Sequence, residues 1–267
     1  MRQEGVLQKM KAEINGEVQY YLDINGTAVH MNSFLDKPIT LHKKGSQCLN
    51  CGKERSIFSQ GFCYPCFFSS PKMGDWVMKP ELCTAHLGIE DRDLAYEKEV
   101  QLTPHIVYLA HSSDVKVGIT RKTQVPTRWI DQGAHQGLAI LEVPNRYLSG
   151  VAEIALKAHI SDRTHWQNML KNKIKPADLI ELREELKTHL PEEVQEYFLP
   201  NQEVVHIKFP VLEYPQKVKS FNFKKELAIS GRLKGIKGQY LIFDDNRVIN
   251  IRNNSGYIVE LTEGDPL

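Results

Sequence analysis

Four cysteines in two closely spaced pairs constrain this chain more than any other feature. Their spacing is Cys48-x2-Cys51, then eleven residues, then Cys63-x2-Cys66. Each pair places two thiolates on one tight turn, and two facing turns offer four sulfurs at about 2.3 Å to a tetrahedral metal ion. The pattern predicts a structural Zn²⁺ ribbon with its connecting segment over residues 46–100, and four thiolates also suit an iron–sulfur cluster.

A fifth cysteine lies outside this pattern, in the sequence Cys83-Thr-Ala-His86. Two ligands alone do not make a tight metal site. Two alternatives therefore stay open here, a second metal bound by Cys83 and His86 or a buried cysteine with a purely structural role. An odd number of cysteines grouped in C-x-x-C pairs favours metal binding over disulfides. Because the first residues also lack an apolar signal region, we expect a cytoplasmic protein.

Composition and charge exclude several classes of protein. With 41% hydrophobic and 25% charged residues, the chain is typical of a globular protein and too apolar to be disordered. The balance of 34 Lys and Arg against 33 Asp and Glu excludes a globally basic nucleic-acid binder but allows a local basic face. No apolar run approaches the roughly 20 residues that cross a bilayer, so we expect no membrane partner.

Both ends of the chain carry β patterns. In residues 1–45, apolar side chains alternate from Val18 to Ile24, directly before the strong hairpin signal Asn25-Gly26. In residues 204–267, apolar runs occur at 240–243, 247–251 and 257–261. Turn-forming residues at 244–246 and 253–256 predict hairpins between these runs. We expect the two flanking segments to pair in one sheet or barrel.

A more regular alternation of strand and helix patterns fills residues 101–175. Strands are predicted at 105–110, 115–119 and 138–143. After the second strand, Thr123 is predicted to cap a helix that Pro126 enters and Gly133 or Gly137 ends, and another helix is predicted from Leu148.

An acidic stretch follows the strand and helix patterns. Residues 176–203 hold eight acidic residues against Arg183 and Lys187, which predicts an acidic helical segment acting as a solvated face or spacer.

The region from about Pro104 to Lys173 resembles the GIY-YIG nuclease superfamily. Val107-Tyr108-Leu109 resembles the first strand element and Lys116-Val-Gly-Ile-Thr120 the second, while Arg128 and Glu153 fall at the helix arginine and the metal-binding glutamate. The whole chain also resembles an uncharacterised prokaryotic family that joins a four-cysteine ribbon to such a domain. That second resemblance is carried by the stretches 61–67, 116–121, 128–133 and 237–243.

The resemblance implies an α+β fold in which β-rich N- and C-terminal segments flank a zinc ribbon and a GIY-YIG-like three-stranded α/β core. It implies a metal-dependent endonuclease that hydrolyses phosphodiester bonds in DNA or RNA. Arg128 would hold the phosphate, Glu153 would bind Mg²⁺ or Mn²⁺, and Tyr108 would take the proton of the attacking water. Gly118 takes the position of the second motif glycine.

This sequence departs from the superfamily pattern at two positions. Ile106 replaces the first glycine, and Val117 replaces the second tyrosine. The candidates for supplying the missing polar group are Lys116, His111, His105 and Tyr147. The loss of that tyrosine indicates an alternative function, a catalytically inactive zinc-ribbon protein that binds nucleic acid. A third alternative, a zinc-stabilised protein-interaction module, would show no salt-dependent binding to nucleic acid.

Local charge favours a phosphate ligand. Residues 101–175 contain ten Lys or Arg against five Asp or Glu, an excess of five, which is the usual footprint of binding to a nucleic-acid backbone. Solvated surface lysines are the ordinary alternative. The predicted nucleic-acid-binding residues are Lys116, Arg121, Lys122, Lys171 and Lys173.

Overall fold

A computed structural model of the chain describes residues 1–160 and 165–264. The chain divides into two compact units. The first unit comprises Met1–Phe68, Leu170–Asn172 and Lys208–Leu267, and the second comprises Ser69–Met169 and Lys173–Ile207. The fold is β-rich α+β, as the sequence predicts.

The first unit contains a seven-stranded sheet and a three-stranded sheet. The seven strands lie in the order β1-β14-β5-β11-β12-β13-β10, and the three in the order β2-β3-β4. The strands are β1 Arg2–Val6, β2 Lys11–Asn15, β3 Glu17–Ile24, β4 Thr27–His30, β5 Pro38–Ser46, β10 Lys219–Phe221, β11 Ala228–Lys237, β12 Tyr240–Phe243, β13 Arg247–Asn250 and β14 Tyr257–Glu263.

The predicted N-terminal hairpin is confirmed as β3 and β4. These strands pair antiparallel from Ile24 opposite Thr27, and Asn25 and Gly26 both adopt the positive φ that a tight hairpin turn requires. The alternating apolar side chains of β3 are fully or almost fully buried, from Val18 to Ile24. Burial of one face of the strand therefore fixes its register.

The two ends of the chain meet in the seven-stranded sheet. Strand β14 lies between β1 and β5, and β11 pairs with the other edge of β5. The prediction that the flanking segments share a sheet is therefore confirmed. One of the two predicted hairpin turns is wrong, because the residues at 253–256 lead from β13 to β14, which are not neighbours in the sheet. Arg252–Asn254 instead forms a 3₁₀ turn that carries the chain across.

The second unit is built on a four-stranded antiparallel sheet in the order β7-β6-β8-β9. Every residue of the central strand β6 is buried, and Val107, Leu109 and Leu138 belong to the hydrophobic core of this unit. The strands are β6 His105–His111, β7 Val115–Arg121, β8 Gln136–Val143 and β9 Val205–His206. The three strands predicted for this region are confirmed as β6, β7 and β8.

The helices of the chain are short, the longest of the described ones being Arg146–Lys157. The chain contains α1 Tyr64–Ser69, α2 Leu94–Gln101, α3 Thr127–Asp131, α4 Arg146–Lys157, α5 Trp166–Leu170, α6 Leu179–Lys187 and α7 Glu192–Gln195. The cap predicted at Thr123 is wrong, because Thr123 lies inside a separate 3₁₀ turn and Pro126 occupies the N-cap position of α3. Gly133 follows the end of α3 with a positive φ, as the sequence predicts.

The acidic segment 176–203 is helical, but it is not a free spacer. Asp178 caps α6 by accepting hydrogen bonds from the N–H groups of Ile180 and Glu181. Leu179 and Leu186 of α6 and Val194 of α7 are buried in the core of the second unit. The acidic side chains therefore cover the solvent side of helices whose other side packs on the sheet.

Among the residues that the structure describes, no helix is long and apolar enough to span a membrane.

Candidate functional site

The four paired cysteines come together in the first unit. Their four sulfur atoms all lie within 4.8 Å of one another, in Cys48, Cys51, Cys63 and Cys66. Four thiolates at about 2.3 Å from one tetrahedral ion also lie within this limit, so the residues fit a structural zinc centre. The described residues contain no other such group of three or more histidine, cysteine or carboxylate ligands.

The backbone around Cys48 forms the turn that a metal-binding cysteine pair needs. The N–H of Gly52 donates to the carbonyl oxygen of Cys48 at 2.9 Å, and Gly52 has a φ of +66°. The N–H groups of Asn50 and Cys63 lie 3.4 and 3.3 Å from the Cys48 sulfur. These contacts stabilise a thiolate before any ion binds.

Two thiols of the cluster have pKa values that are shifted in opposite directions. Burial by itself would raise the pKa of Cys48, but the backbone N–H groups of Cys63, Cys51 and Asn50 outweigh it and lower the pKa to about 6. At Cys66, the Asn50 side chain lowers the pKa. Burial and the three neighbouring thiols together raise it to about 11. The pKa values of Cys48 and Cys66 therefore lie far apart, and a bound cation would favour the thiolate form of both.

Glycine is required where the two turns of the ribbon pack together. At Gly61, which has a φ of +83°, a Cβ atom would lie 2.5 Å from Cδ1 of Leu49. The N–H of Leu49 donates to the carbonyl oxygen of Gly61 at 2.9 Å, which joins the first cysteine turn to the second.

The fifth cysteine lies in the second unit and, within the described part of the chain, belongs to no group of three or more possible metal ligands. Cys83 is buried, with 2% of its surface exposed, and burial raises the pKa of its thiol to about 12. His86 stacks on the ring of Tyr147 with centroids 4.5 Å apart. A neutral buried thiol and a stacked imidazole are the ordinary structural roles of these residue types.

A cleft of about 230 Å³ in the second unit brings the three predicted catalytic residues together. Tyr108 of β6, Arg128 of α3 and Glu153 of α4 all line it, although each comes from a different element. Lys116 and Gly118 of β7 also line the cleft. Residues that are separated by up to 45 positions in the sequence therefore share one small volume.

The register of β6 and β7 explains how the tyrosine reaches the cleft. Tyr108 pairs directly with Gly118, and a Cβ atom at that glycine would lie 2.7 Å from the phenol oxygen. Glycine is thus the residue that leaves room for the ring. The amide nitrogen of Gln132 donates to the phenol oxygen at 2.8 Å. Burial raises the pKa of Tyr108, and the positive charge of Arg128 partly opposes that rise.

Arg128 and Glu153 are each placed by buried neighbours on their own helices. Next to Arg128 in α3, Trp129 is buried against Gly137 of β8, where a Cβ atom would lie 2.5 Å from the indole ring. In α4, Glu153 follows the fully buried Ala152 and keeps 13% of its side chain exposed. One carboxylate oxygen of Glu153 lies 3.3 Å from Nζ of Lys157, which also lines the cleft.

Arg146 is a residue of the cleft that sequence reasoning missed. Its guanidinium donates to the carbonyl oxygens of Val77 at 2.8 Å and of Trp76 at 3.4 Å, and it lies 5.7 Å from the centroid of the Trp76 ring. Burial lowers the pKa of Arg146. Arginine at the first position of a helix is opposed by the helix dipole, and this unfavourable placement was the available signal.

The cleft has a strongly positive balance of charge. Among the residues that the structure describes, four cations and one carboxylate line it: Lys116, Arg128, Arg146, Lys157 and Glu153. The formal sum is therefore +3, in a space where neighbouring protein atoms reduce the screening by water. Such an arrangement suits an anion with oxygen acceptors, because arginine forks match phosphate geometry.

Of the candidates for the missing polar group, Lys116 alone lines the cleft together with Val117. His105 and His111 lie at the two ends of β6 and are buried. His105 hydrogen-bonds through Nδ1 to the carbonyl oxygen of Thr103, and burial lowers its pKa to about 4. Tyr147 contacts His86 instead.

The remaining predicted nucleic-acid-binding residues do not line the cleft. Arg121 is exposed at the end of β7, and Nζ of Lys122 forms an ion pair with Glu142 at 2.7 Å. Lys171 belongs to the first unit, whereas Lys173 belongs to the second and is exposed.

The fold and these sites define a β-rich α+β protein with a four-cysteine cluster that fits a metal ion and with a cationic cleft. A family model matches residues 36–259, which include both sites, and its description is Protein of unknown function (DUF2797). The chain therefore belongs to this uncharacterised family. Comparison with curated proteins and with solved structures finds no match.

Proposed function

We propose that the chain is a metal-dependent endonuclease of the GIY-YIG type, which hydrolyses phosphodiester bonds of DNA or RNA in the cationic cleft. One observation carries the proposal. The three residues that the superfamily resemblance assigns to catalysis, Tyr108, Arg128 and Glu153, line one cleft together with Lys116 and Arg146. A chance resemblance in sequence would not be expected to converge in space on an anion-binding surface.

The residues of the cleft fit a hard divalent cation. Glu153 is the one carboxylate that lines the cleft within the described part of the chain. Mg²⁺ is commonly held by one or two carboxylates, with phosphate oxygens and waters completing the shell. When bound, Mg²⁺ or Mn²⁺ would neutralise charge on the scissile phosphate.

The protein's own side chains would bind and orient the substrate. Arg128 is half-buried on α3 and would donate two parallel hydrogen bonds to phosphate oxygens. Arg146 is fixed by two backbone carbonyl groups, so its remaining N–H groups are held in one orientation. Two prepositioned cations would favour the extra negative charge that develops in the transition state.

Tyr108 would act as a neutral phenol. Because burial raises its pKa, the side chain keeps its proton at physiological pH and orients the attacking water by a hydrogen bond. Only the phenolate form of Tyr108 could take the proton of the attacking water, and the positive charge of Arg128, which opposes the rise in pKa, would favour that form.

The four-thiolate centre would have a structural role. Four protein ligands leave no open coordination position for a substrate. The ribbon has few buried apolar residues of its own, so the ion would supply much of its folding free energy.

A second candidate function is nucleic-acid binding without cleavage. Val117, which replaces the second motif tyrosine, lies in the cleft with 4% of its surface exposed. The cations of the cleft would still bind phosphate without the hydroxyl group of the tyrosine that Val117 replaces.

Cleavage of end-labelled single-stranded, duplex and branched DNA and RNA tests the proposal. Wild type, Glu153→Gln and the exposed control Glu181→Gln should be compared with and without added Mg²⁺ or Mn²⁺. The divalent ion should be omitted and not chelated, because chelators also remove structural zinc. We expect cleavage that needs the ion and is lost in Glu153→Gln only. Salt-dependent binding without cleavage in all three proteins would support the second candidate instead.

A further inference from the structure

The cleft has an apolar edge that the proposed chemistry does not use. Its cations come from β7, α3 and α4, whereas Val77, Met78 and Pro80 come from the stretch Pro71–Leu87, here called the covering segment. Met78 exposes 79% of its surface although it lines the cleft. An exposed, flexible thioether beside a cationic surface is suited to contact the flat face of a ligand.

The covering segment is held against α4 by close packing. At Gly150 of α4, a Cβ atom would lie 2.5 Å from the backbone nitrogen of Glu81 and 2.7 Å from the carbonyl carbon of Pro80. The hydrogen bonds from Arg146 to the carbonyl groups of Trp76 and Val77 hold the segment at a second point. The apolar edge is therefore a fixed wall of the cleft.

The size of the cleft limits what can enter it. Its volume of about 230 Å³ is below the roughly 300–1,000 Å³ typical of sites for drug-sized ligands. This space suits one phosphate with its sugar and part of a base. In a duplex the bases are stacked inside the helix, so a duplex can present phosphates to Arg128 but cannot bring a base face to Met78.

We infer that the cleft takes one unpaired nucleotide, with its phosphate at Arg128 and Lys116 and its base against Met78 and Pro80. The chain therefore prefers single-stranded over duplex nucleic acid. This inference deepens the proposed function and rests on the same cleft, but it concerns binding and not hydrolysis. Every base has a flat apolar face, so this contact does not depend on the base sequence. The expected preference is therefore for single strands over duplexes and not for one sequence over another.

Equilibrium binding tests this inference. Fluorescence anisotropy would compare a labelled 12-nucleotide strand with the same strand in a duplex, using zinc-loaded Glu153→Gln protein without added Mg²⁺ or Mn²⁺. We expect the single strand to bind at least about tenfold more tightly than the duplex. In the same background, Arg128→Gln should weaken binding of the single strand and of the duplex, because both present phosphates to Arg128.

Substitutions of Met78 separate the apolar contact from the charge. Met78→Ala should weaken single-strand binding by about three- to tenfold and leave duplex binding unchanged. Met78→Trp should tighten single-strand binding, and a gain of affinity cannot result from misfolding. Leu87→Ala is the matched control, because Leu87 is an exposed apolar residue of the same segment that does not line the cleft.

The outcomes distinguish this inference from the proposed function. Equal or tighter binding of the duplex, or Met78 variants that alter both ligands alike, would overturn the strand preference even if the wild type cleaves. Strand-selective binding that follows Met78, in a protein that never cleaves, would support the inference and contradict the hydrolytic function.

Discussion

Substitution of Gly150 by alanine should raise the free energy of unfolding if helix propensity dominates and lower it if tertiary packing dominates. Gly150 lies in the first half of α4, where alanine is normally favoured over glycine by about 1 kcal/mol. The new Cβ atom would meet two backbone atoms of the covering segment at 2.5 and 2.7 Å. Backbone atoms cannot rotate away as a side chain can, so the covering segment must shift.

The net effect follows from these two contributions. Overpacking of this kind costs about 1–3 kcal/mol, and the contact with backbone favours the upper part of that range. After the gain in helix propensity, we expect the free energy of unfolding to fall by about 1–2 kcal/mol. At about 2–4 °C per kcal/mol, the melting temperature should fall by roughly 2–8 °C.

Two measurements check this prediction. Urea unfolding followed by circular dichroism gives the free energy of unfolding, and hydrogen exchange reports on the amides of Leu82 and Cys83. Those amides donate within the covering segment to the carbonyl groups of Lys79 and Pro80. We expect faster exchange at both amides in Gly150→Ala. Ile154→Ala, at an exposed position of the same helix, should stay within about 0.5 kcal/mol of wild type. A Gly150→Ala protein at least as stable as wild type, with unchanged exchange, would refute the packing argument.

Three further predictions follow from the sites. Purified protein should contain one zinc per chain by elemental analysis, with the metal lost in Cys63→Ser and retained in Cys83→Ser, because only the first belongs to the four-thiolate cluster. Arg146→Lys keeps the charge but loses the fork that binds two carbonyl groups, so the cleavage rate should fall by about ten- to a hundredfold in a single-turnover assay. Burial lowers the pKa of Lys237 to about 8, below its value in the unfolded chain. Stability should therefore rise between pH 8 and 10 by roughly 1–3 kcal/mol relative to Lys237→Met, measured by urea unfolding at both pH values.

The sequence predicts those parts of the fold in which one local pattern decides the structure. The alternation from Val18 to Ile24 with Asn25-Gly26 identifies a hairpin because one face of the strand must be buried. The spacing of the four cysteines identifies their cluster because ligand geometry restricts the turns between them.

The remainder depends on tertiary contacts that leave little local signal. The ten-residue strand β11 has four polar or charged side chains and two glycines among its residues, so no alternation reveals it. The covering segment is a series of short 3₁₀ turns, and its packing depends on the absence of a side chain at Gly150, some 70 residues away. The role of Arg146 follows from carbonyl groups of that segment, so it could not be read from its neighbours in sequence.

Crystals of the zinc-loaded protein with Mn²⁺ and a short single-stranded phosphorothioate oligonucleotide would show whether the cleft holds a metal ion and a phosphate at the proposed residues. We expect an anomalous manganese peak about 2.1 Å from a carboxylate oxygen of Glu153, with a backbone phosphate between the metal and Arg128. Manganese at another carboxylate, or an oligonucleotide bound away from Tyr108, Arg128 and Glu153, would contradict it.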